Sequence, residues 1–139
     1  MSAEANKAIV RRFHELFDKG DLSGMQALMS DDFVTYQPGM PEPLNGEAFK
    51  QLGQVFLAAF SQSKVTIEGE ICEGNRVASY GTWTAVHSGE FNGIPATGKT
   101  IRISELVIDT IVDGKIVEHR AQPDLMSLLQ QLGAIPSPA

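Results

Sequence analysis

One segment constrains the fold more than any other, residues 105–124, which read ELVIDTIVDGKIVEHRAQPD. Asp113 and Gly114 separate two runs rich in isoleucine and valine, and an Asp-Gly pair in that setting is a strong signal for a β-hairpin. The second run alternates in polarity, so that His119 and Ala121 share one face and their polar neighbours share the other. The segment therefore predicts a hairpin that carries a histidine on its buried face.

The register of this hairpin depends on its turn, and the sequence leaves two alternatives open. With a two-residue turn, Ile108 lies opposite His119 and Glu105 points to the other face. With a three-residue turn that contains a bulge, Val107 lies opposite His119, and Glu105 and Ala121 share their face. The choice decides whether an acid and a histidine can meet.

Length and composition predict one soluble globular domain that spans residues 1–139 and can bury a core. The net charge of −6 provides no basic surface, so we expect neither nucleic acid nor a membrane as a partner. No run approaches the roughly 18 apolar residues of a membrane span, and the start does not resemble a signal peptide. We therefore expect a cytoplasmic protein, in which the single cysteine, Cys72, is a small apolar strand residue.

Helical periodicity predicts three helices in the first 60 residues. Ala5–Lys19 has an apolar stripe with His14 beside it, Asp21–Met29 is shorter, and Gly46–Phe60 is rich in phenylalanine. Their apolar side chains either pack a core or line a cavity for an apolar ligand. Those with this second possible role are Phe17, Leu52, Phe56 and Phe60, and His14 is a further candidate for the cavity wall.

The segment Gln37–Gly46 contains three prolines and two glycines, which predicts a loop without regular structure. The loop follows an extended stretch that ends at Tyr36. With Tyr36 and Gln37 it forms the rim of a pocket, or it serves only as a connector.

From Lys64 onward the apolar period falls to two, which indicates strands. After a turn at residues 73–75, the predicted strands are Arg76–His87, Thr100–Val112 and Lys115–Gln122. Helices followed by antiparallel strands predict an α+β fold, with the helices on one face of a curved sheet. Pro123 ends the last strand, and a short helix is predicted over Leu125–Leu132.

The side chains of this sequence support acid–base chemistry best. The three histidines lack the spacing of metal ligands, so we expect no metal site. A carboxyl group in an apolar pocket has a raised pKa because burial disfavours its charge, and a nearby histidine can share its proton. Glu105 and His119 form such a pair if they share a face. Otherwise Glu105 is solvated or joins a structural ion pair.

Two further residues are candidates for the same chemistry. Asp124 is a second carboxylate, which either acts in catalysis or caps the last helix. His87 ends its predicted strand, and we expect it near the mouth of the pocket.

Several loose motifs follow one another in a specific order across nearly the whole chain. They are Ile9–Arg12, Gly46 with Phe49 and Phe60, His87–Lys99, Ile111–Arg120, Pro123-Asp124 and Gln131–Gly133. In this order they resemble the SnoaL-like polyketide cyclases, within the ketosteroid isomerase and nuclear transport factor two-like superfamily. The resemblance implies a cone-shaped, strongly curved mixed β-sheet wrapped around N-terminal helices, with an apolar cavity.

The resemblance also implies a chemistry and an assembly. These cyclases close a ring by intramolecular aldol condensation without metal or cofactor, and they form homodimers or larger homo-oligomers through the outer sheet face. That assembly would place Leu106 and Ile108 against a partner. The resemblance also favours a register in which His119 points inward.

Two positions depart from the cyclase pattern. An aspartate that transfers a proton in those cyclases is Ala121 here, and a histidine expected on the preceding strand is Val107. His119 is retained, and Glu105 stands where the cyclases tend to have a neutral polar side chain. Glu105 is therefore the acid that the resemblance leaves for proton transfer.

The leading hypothesis is a cofactor-independent enzyme that acts on a small, largely apolar carbonyl compound by cyclisation, isomerisation or hydrolysis. Glu105 acts as general base or acid with His119 as its partner, and Tyr36 or Gln37 hydrogen-bonds the substrate oxygen.

Two alternatives remain open. The same fold can serve as a small-ligand-binding protein without chemistry, which Val107 and Ala121 favour because they make the pocket more apolar. It can also be a structural domain whose cavity is filled by Phe49, Phe56 and Phe60.

Overall fold

A computed structural model describes residues 2–138 of the chain. The helices are α1 (Ala3–Asp18), α2 (Leu22–Ala27), α3 (Gly46–Ala59) and α4 (Leu125–Gln131). The strands are β1 (Met29–Tyr36), β2 (Leu44–Asn45), β3 (Phe60–Glu73), β4 (Arg76–His87), β5 (Thr100–Val112) and β6 (Lys115–Pro123). Within the described residues, no helix is both long enough and apolar enough to cross a membrane.

The strands form one curved six-stranded sheet in the order β2-β1-β6-β5-β4-β3. Strands β1 and β6 are parallel, whereas the other neighbouring strands are antiparallel. The sheet is therefore mixed and does not close, because β2 and β3 lie at opposite edges. The predicted α+β fold with a curved mixed sheet and N-terminal helices is confirmed.

Helices α1 and α3 begin with side-chain caps and pack on the concave face of the sheet. Ser2 accepts a hydrogen bond from the Ala5 amide, and Asn45 accepts one from the Ala48 amide. Val10 and Phe13 of α1 are fully buried and belong to a core cluster with residues of β1, β4, β5 and β6. Phe13 and Leu16 of the apolar stripe read from the sequence are buried as predicted, whereas Val10, buried beside them, was not part of that stripe.

The structure differs from the prediction between α1 and β4. Helix α2 ends at Ala27, and β1 begins at Met29, because the Ile116 amide of β6 donates to the Leu28 carbonyl and ends the helix there. The loop predicted over Gln37–Gly46 contains the short strand β2, which pairs with β1. Strand β3 begins at Phe60, four residues before the predicted start, and continues directly from α3.

The β5–β6 hairpin has a two-residue turn, with positive φ angles of 50° at Asp113 and 77° at Gly114. Beyond the turn, Ile111 pairs with Ile116, but the next pair joins Thr110 to Glu118, so Val117 is an extra residue in β6. This bulge places His119 opposite Asp109. Both registers considered for the sequence are therefore wrong about the residue opposite His119.

The bulge nevertheless produces the arrangement that the chemistry requires. Glu105, Val107 and Asp109 alternate along β5 and face the helices, and the pairs Val107–Ala121 and Asp109–His119 lie side by side. An acid and a histidine thus share the concave face, as the three-residue turn predicted, although a different irregularity puts them there.

Candidate active site

An apolar cavity of about 140 Å³ lies between the concave face of the sheet and helices α1 and α3. Of the polar residues predicted for the site, the cavity is lined by His14, Gln37, Glu105 and His119. Of the apolar ones, it is lined by Phe17, Leu52, Phe56, Val107 and Ala121. The aromatic side chains of α3 therefore do not fill the cone, and a small apolar molecule has room inside it.

His119 lies on the wall of this cavity and forms a buried dyad with Asp109, which lies behind it. The Nδ1 atom of His119 is 2.6 Å from Oδ1 of Asp109, and the two residues are 4% and 0% exposed. With a carboxylate as its partner, Nδ1 carries a proton and donates it to the hydrogen bond. Nε2 is then the ring nitrogen that can accept or deliver a proton in the cavity.

Packing and hydrogen bonds fix the position of the His119 ring. The rings of Phe13 and Phe49 flank it, with centroids 5.6 Å and 5.4 Å from the imidazole centroid. On β1, the Thr35 hydroxyl donates to the His119 carbonyl at 2.8 Å, and the Gln37 amide donates to Oγ1 of Thr35 at 2.9 Å. The ring is thus held by both its side-chain and its backbone neighbours.

The surroundings raise the proton affinity of both candidate acid–base groups. Burial alone would lower the pKa of His119, but the charge and hydrogen bond of Asp109, together with the charge of Glu105, outweigh it and raise that pKa. Burial raises the pKa of Glu105, and the nearby charge of His119 opposes part of that rise. A carboxyl group and an imidazole that both hold protons more tightly than usual are suited to transfer between them.

His14 of α1 lies near the dyad, and its pKa is shifted in the opposite direction from that of His119. Burial lowers its pKa to about 4, and the charges of Asp109 and His119 act on it in opposite directions. At neutral pH, His14 is therefore a neutral imidazole on the cavity wall that can donate a hydrogen bond to a ligand oxygen.

Residues 7–132 match the sequence pattern of the SnoaL-like polyketide cyclase family. The chain belongs to the SnoaL-like polyketide cyclase family. It is 31% identical over 134 residues to the aklanonic acid methyl ester cyclase of Streptomyces peucetius, covering 90% of this chain and 88% of that one. It is 36% identical over 88 residues to the nogalonic acid methyl ester cyclase of Streptomyces nogalater, covering 63% and 66% of the two chains.

Solved structures resemble this SnoaL-like chain over nearly its full length. AclR of Streptomyces galilaeus, provisionally named a hydroxylase, superposes with a TM-score of 0.91 at 30% identity, covering 99% of this chain and 87% of its own. Because one fold can host different reactions, this likeness by itself does not assign a reaction to the SnoaL-like chain.

Four predicted site residues of the SnoaL-like chain lie away from the cavity wall, and Tyr36 and Asp124 are two of them. Tyr36 is on the outer face of the sheet, where the Arg120 guanidinium lies 4.0 Å from its ring centroid. Asp124 caps α4, and its carboxylate accepts from the Ser127 amide at 3.0 Å. Tyr36 was predicted on the wrong side of β1, and capping accounts for the position of Asp124.

The other two, Phe60 and His87, pack against each other with ring centroids 5.3 Å apart. His87 does end β4, but it is fully buried, and its Nδ1 accepts from the Thr97 amide at 3.2 Å. It therefore anchors the loop after β4, and its predicted place at the pocket mouth is wrong. Phe60 follows the last turn of α3 with an extended backbone. This backbone directs its side chain into a second core cluster, which includes Phe91 and Ile101.

Asp109 is the residue that sequence reasoning missed. It stands between Ile108 and Thr110 in a strand with apolar residues on both faces. The pattern of polarity therefore could not assign the face of the sheet to which the Asp109 side chain points. A signal was nevertheless present, since Asp109 is two residues from Val107 and four from Glu105. Period-two spacing puts all three on one face once Glu105 is taken as inward.

The depressed pKa of His14 predicts a loss of stability in acid. Its unfolded-state pKa is the ordinary 6.5, so its contribution is fully present above that pH and is lost as pH falls through the folded value of about 4. Between pH 6.5 and pH 4 this group should remove on the order of 3 kcal/mol from the free energy of unfolding. Urea unfolding of the wild type and of His14→Gln at both pH values measures the difference. Equal losses in the two proteins would contradict the assignment.

Proposed function

We propose that the chain catalyses proton transfer that closes a ring in a small, largely apolar carbonyl compound of polyketide type. The observation that carries this proposal is the Asp109–His119 dyad, whose histidine lines an apolar cavity together with Glu105. The names of the cyclase relatives support ring closure as the reaction.

The first step of the proposed reaction belongs to His119. Its Nε2 removes a proton from a carbon next to a carbonyl group, and Asp109 stabilises the imidazolium that results. The electron pair of that C–H bond forms an enolate, whose oxygen accepts hydrogen bonds from neutral His14 and from the second amide N–H of Gln37. The apolar wall excludes water and strengthens these interactions.

The second step belongs to Glu105. The enolate carbon attacks another carbonyl carbon of the same molecule, a carbon–carbon bond forms, and the C=O electron pair moves to oxygen as an alkoxide. The Glu105 carboxylate, which burial makes a better proton acceptor than a free carboxylate, takes the proton from the His119 imidazolium and gives it to that alkoxide. His119 and Glu105 thereby return to their starting states, so no proton is gained or lost over the cycle.

Glu105→Gln tests this division of roles. The variant keeps the shape of the side chain and loses the ability to take up and pass on a proton, so kcat should fall by about 10²- to 10⁴-fold with little change in KM. Aklanonic acid methyl ester and nogalonic acid methyl ester serve as probe substrates, with product formation followed chromatographically. Glu73→Gln, an exposed substitution at the end of β3, is the matched control. Wild-type turnover by Glu105→Gln would remove Glu105 from the mechanism.

A ligand-binding protein without chemistry is the second candidate, and one observation favours it. Ala121 and Val107, which stand where the cyclase resemblance expects proton-transfer groups, both line the cavity. Trp83 is the sole tryptophan and also lines the cavity, so its fluorescence reports ligand entry. Quenching by either ester, with no product formed by the wild type, would support this second candidate.

We also propose that a second copy of the chain covers the outer face of the sheet. Tyr80 and Leu106 pair across β4 and β5 and are 48% and 60% exposed, and Ile108 extends the patch along β5. Sedimentation velocity should give the mass of a dimer or larger assembly. Leu106→Glu should shift that mass toward the monomer, because it places a charge at the centre of the patch. A wild-type protein that sediments as a monomer would contradict this assembly.

A further inference from the structure

Three buried side-chain oxygens behind the dyad have no hydrogen-bond partner among the described residues. They are Oδ2 of Asp109, Oγ of Ser79 and Oε2 of Glu70. Unpartnered buried polar atoms are uncommon in folded proteins, and three in one region of a sheet require an explanation.

The strand registers place these three residues side by side, as a set that we call the polar strip. Glu70 on β3 pairs directly with Ser79 on β4. Asp109 on β5 pairs with Val77, two residues from Ser79 on the same face of β4, so Ser79 and Asp109 are diagonal neighbours. Directly opposed side chains have Cβ atoms about 5 Å apart, and diagonal ones about 7–8 Å. Side-chain oxygens that point toward each other from Cβ atoms at these spacings can share one bridging water molecule.

The donors and acceptors of the polar strip complement one another. Carboxylate oxygens only accept, whereas the Ser79 hydroxyl can donate one hydrogen bond and accept others. The first oxygen of each carboxylate is already occupied, because Oδ1 of Asp109 accepts from His119 and Oε1 of Glu70 accepts from Arg11 at 2.7 Å. Ser79 is therefore the side chain of the strip that can supply a donor between the two remaining oxygens.

We propose that Ser79 is a positioning residue for the dyad, acting on Oδ2 of Asp109 through a bridging water molecule. This inference rests on the proposed function of His119 and deepens it. By holding the water that donates to Oδ2, Ser79 fixes the rotation of the carboxylate so that Oδ1 faces Nδ1 of His119. It also withdraws part of the negative charge that would otherwise hold the imidazolium, and so keeps His119 closer to neutral pH.

Ser79→Ala tests the inference in the protein without substrate. A carboxylate that loses a donor becomes a stronger acceptor for His119, so the titration midpoint of the His119 ring, followed by NMR, should rise by a few tenths of a pH unit. The other groups whose charges act on His119 are Asp109, Glu105 and His14, and the substitution alters none of them. Ser79→Thr retains the hydroxyl and should restore the wild-type midpoint.

Ser104→Ala is the matched control, because Ser104 is exposed on the outer face of β5. With the ester substrates, kcat/KM should rise with pH as His119 loses its proton. The midpoint of that rise should move to higher pH in Ser79→Ala by the same amount as the NMR midpoint. An unchanged or lowered midpoint in Ser79→Ala would overturn the role of Ser79. Because the NMR titration requires no turnover, that result is distinguishable from a failure of the proposed function, in which His119 variants retain full activity.

Discussion

Replacing His119 with asparagine is expected to lower kcat by about 10²- to 10⁴-fold while KM changes little. The asparagine amide can still donate to Asp109 from the place of Nδ1, so the buried carboxylate keeps a partner. What disappears is the Nε2 base in the cavity. Steady-state kinetics with the two methyl esters measures the rate, and Trp83 fluorescence shows whether the variant still binds them.

The pH dependence of kcat/KM gives the same prediction a second readout. His119 must be neutral to accept a proton, and its pKa is raised above the ordinary 6.5, so activity should rise with pH through a midpoint above 6.5. Below that midpoint the imidazolium has no free electron pair to offer. This rise of kcat/KM with pH should be missing from His119→Asn. If that variant shows the same rise at the same pH, a group other than His119 causes it.

Asp109→Asn is expected to cost about 10²-fold or more in kcat/KM, although Asp109 lies behind the histidine that acts on the substrate. The neutral amide no longer stabilises the imidazolium, so the pKa of His119 should fall and the activity limb should move to lower pH. This direction is opposite to that expected for Ser79→Ala. NMR titration of His119 and the kcat/KM profile measure both effects.

The same variant has a consequence for stability. A histidine whose folded pKa is raised contributes stability that is fully present below its unfolded pKa and is lost as pH rises through its folded pKa. Wild-type stability should therefore exceed that of Asp109→Asn most clearly below pH 6.5. Asp124→Asn is the matched control, since asparagine also caps helices, and we expect wild-type activity and stability from it. A loss of activity in Asp124→Asn would instead show that Asp124 takes part in catalysis.

The sequence predicted those elements whose signals are local. Strands Arg76–His87 and Thr100–Val112 have the predicted boundaries, and the predicted hairpin turns at Asp113–Gly114, with the two-residue form of the two that the sequence left open. Alternation, helical stripes and turn residues are properties of neighbouring residues, so a single sequence contains them. The short strand β2 depends on a distant partner, β1, and had no such signal.

The site was predicted less completely, because its geometry depends on one irregularity and on packing. Ile116 and Val117 are both apolar, so nothing in the pattern marks Val117 as the extra residue that brings Asp109 opposite His119. Phe56 and Phe60 are four residues apart at the end of one predicted helix, yet the first lines the cavity and the second does not. The helix ends between them, and that end decides which side chain meets a ligand.

The bulge at Val117 lies between the tip of the β5–β6 hairpin and the arm that carries His119. The tip is fixed by its turn and by Lys115, whose Nζ donates to the Ala27 carbonyl, whereas the arm is fixed by the dyad. A strand with an irregularity can absorb a one-residue change at that point. A one-residue insertion or deletion near Asp113–Gly114 can therefore be absorbed at Val117 before it reaches His119, so the length of the tip can change without altering the dyad.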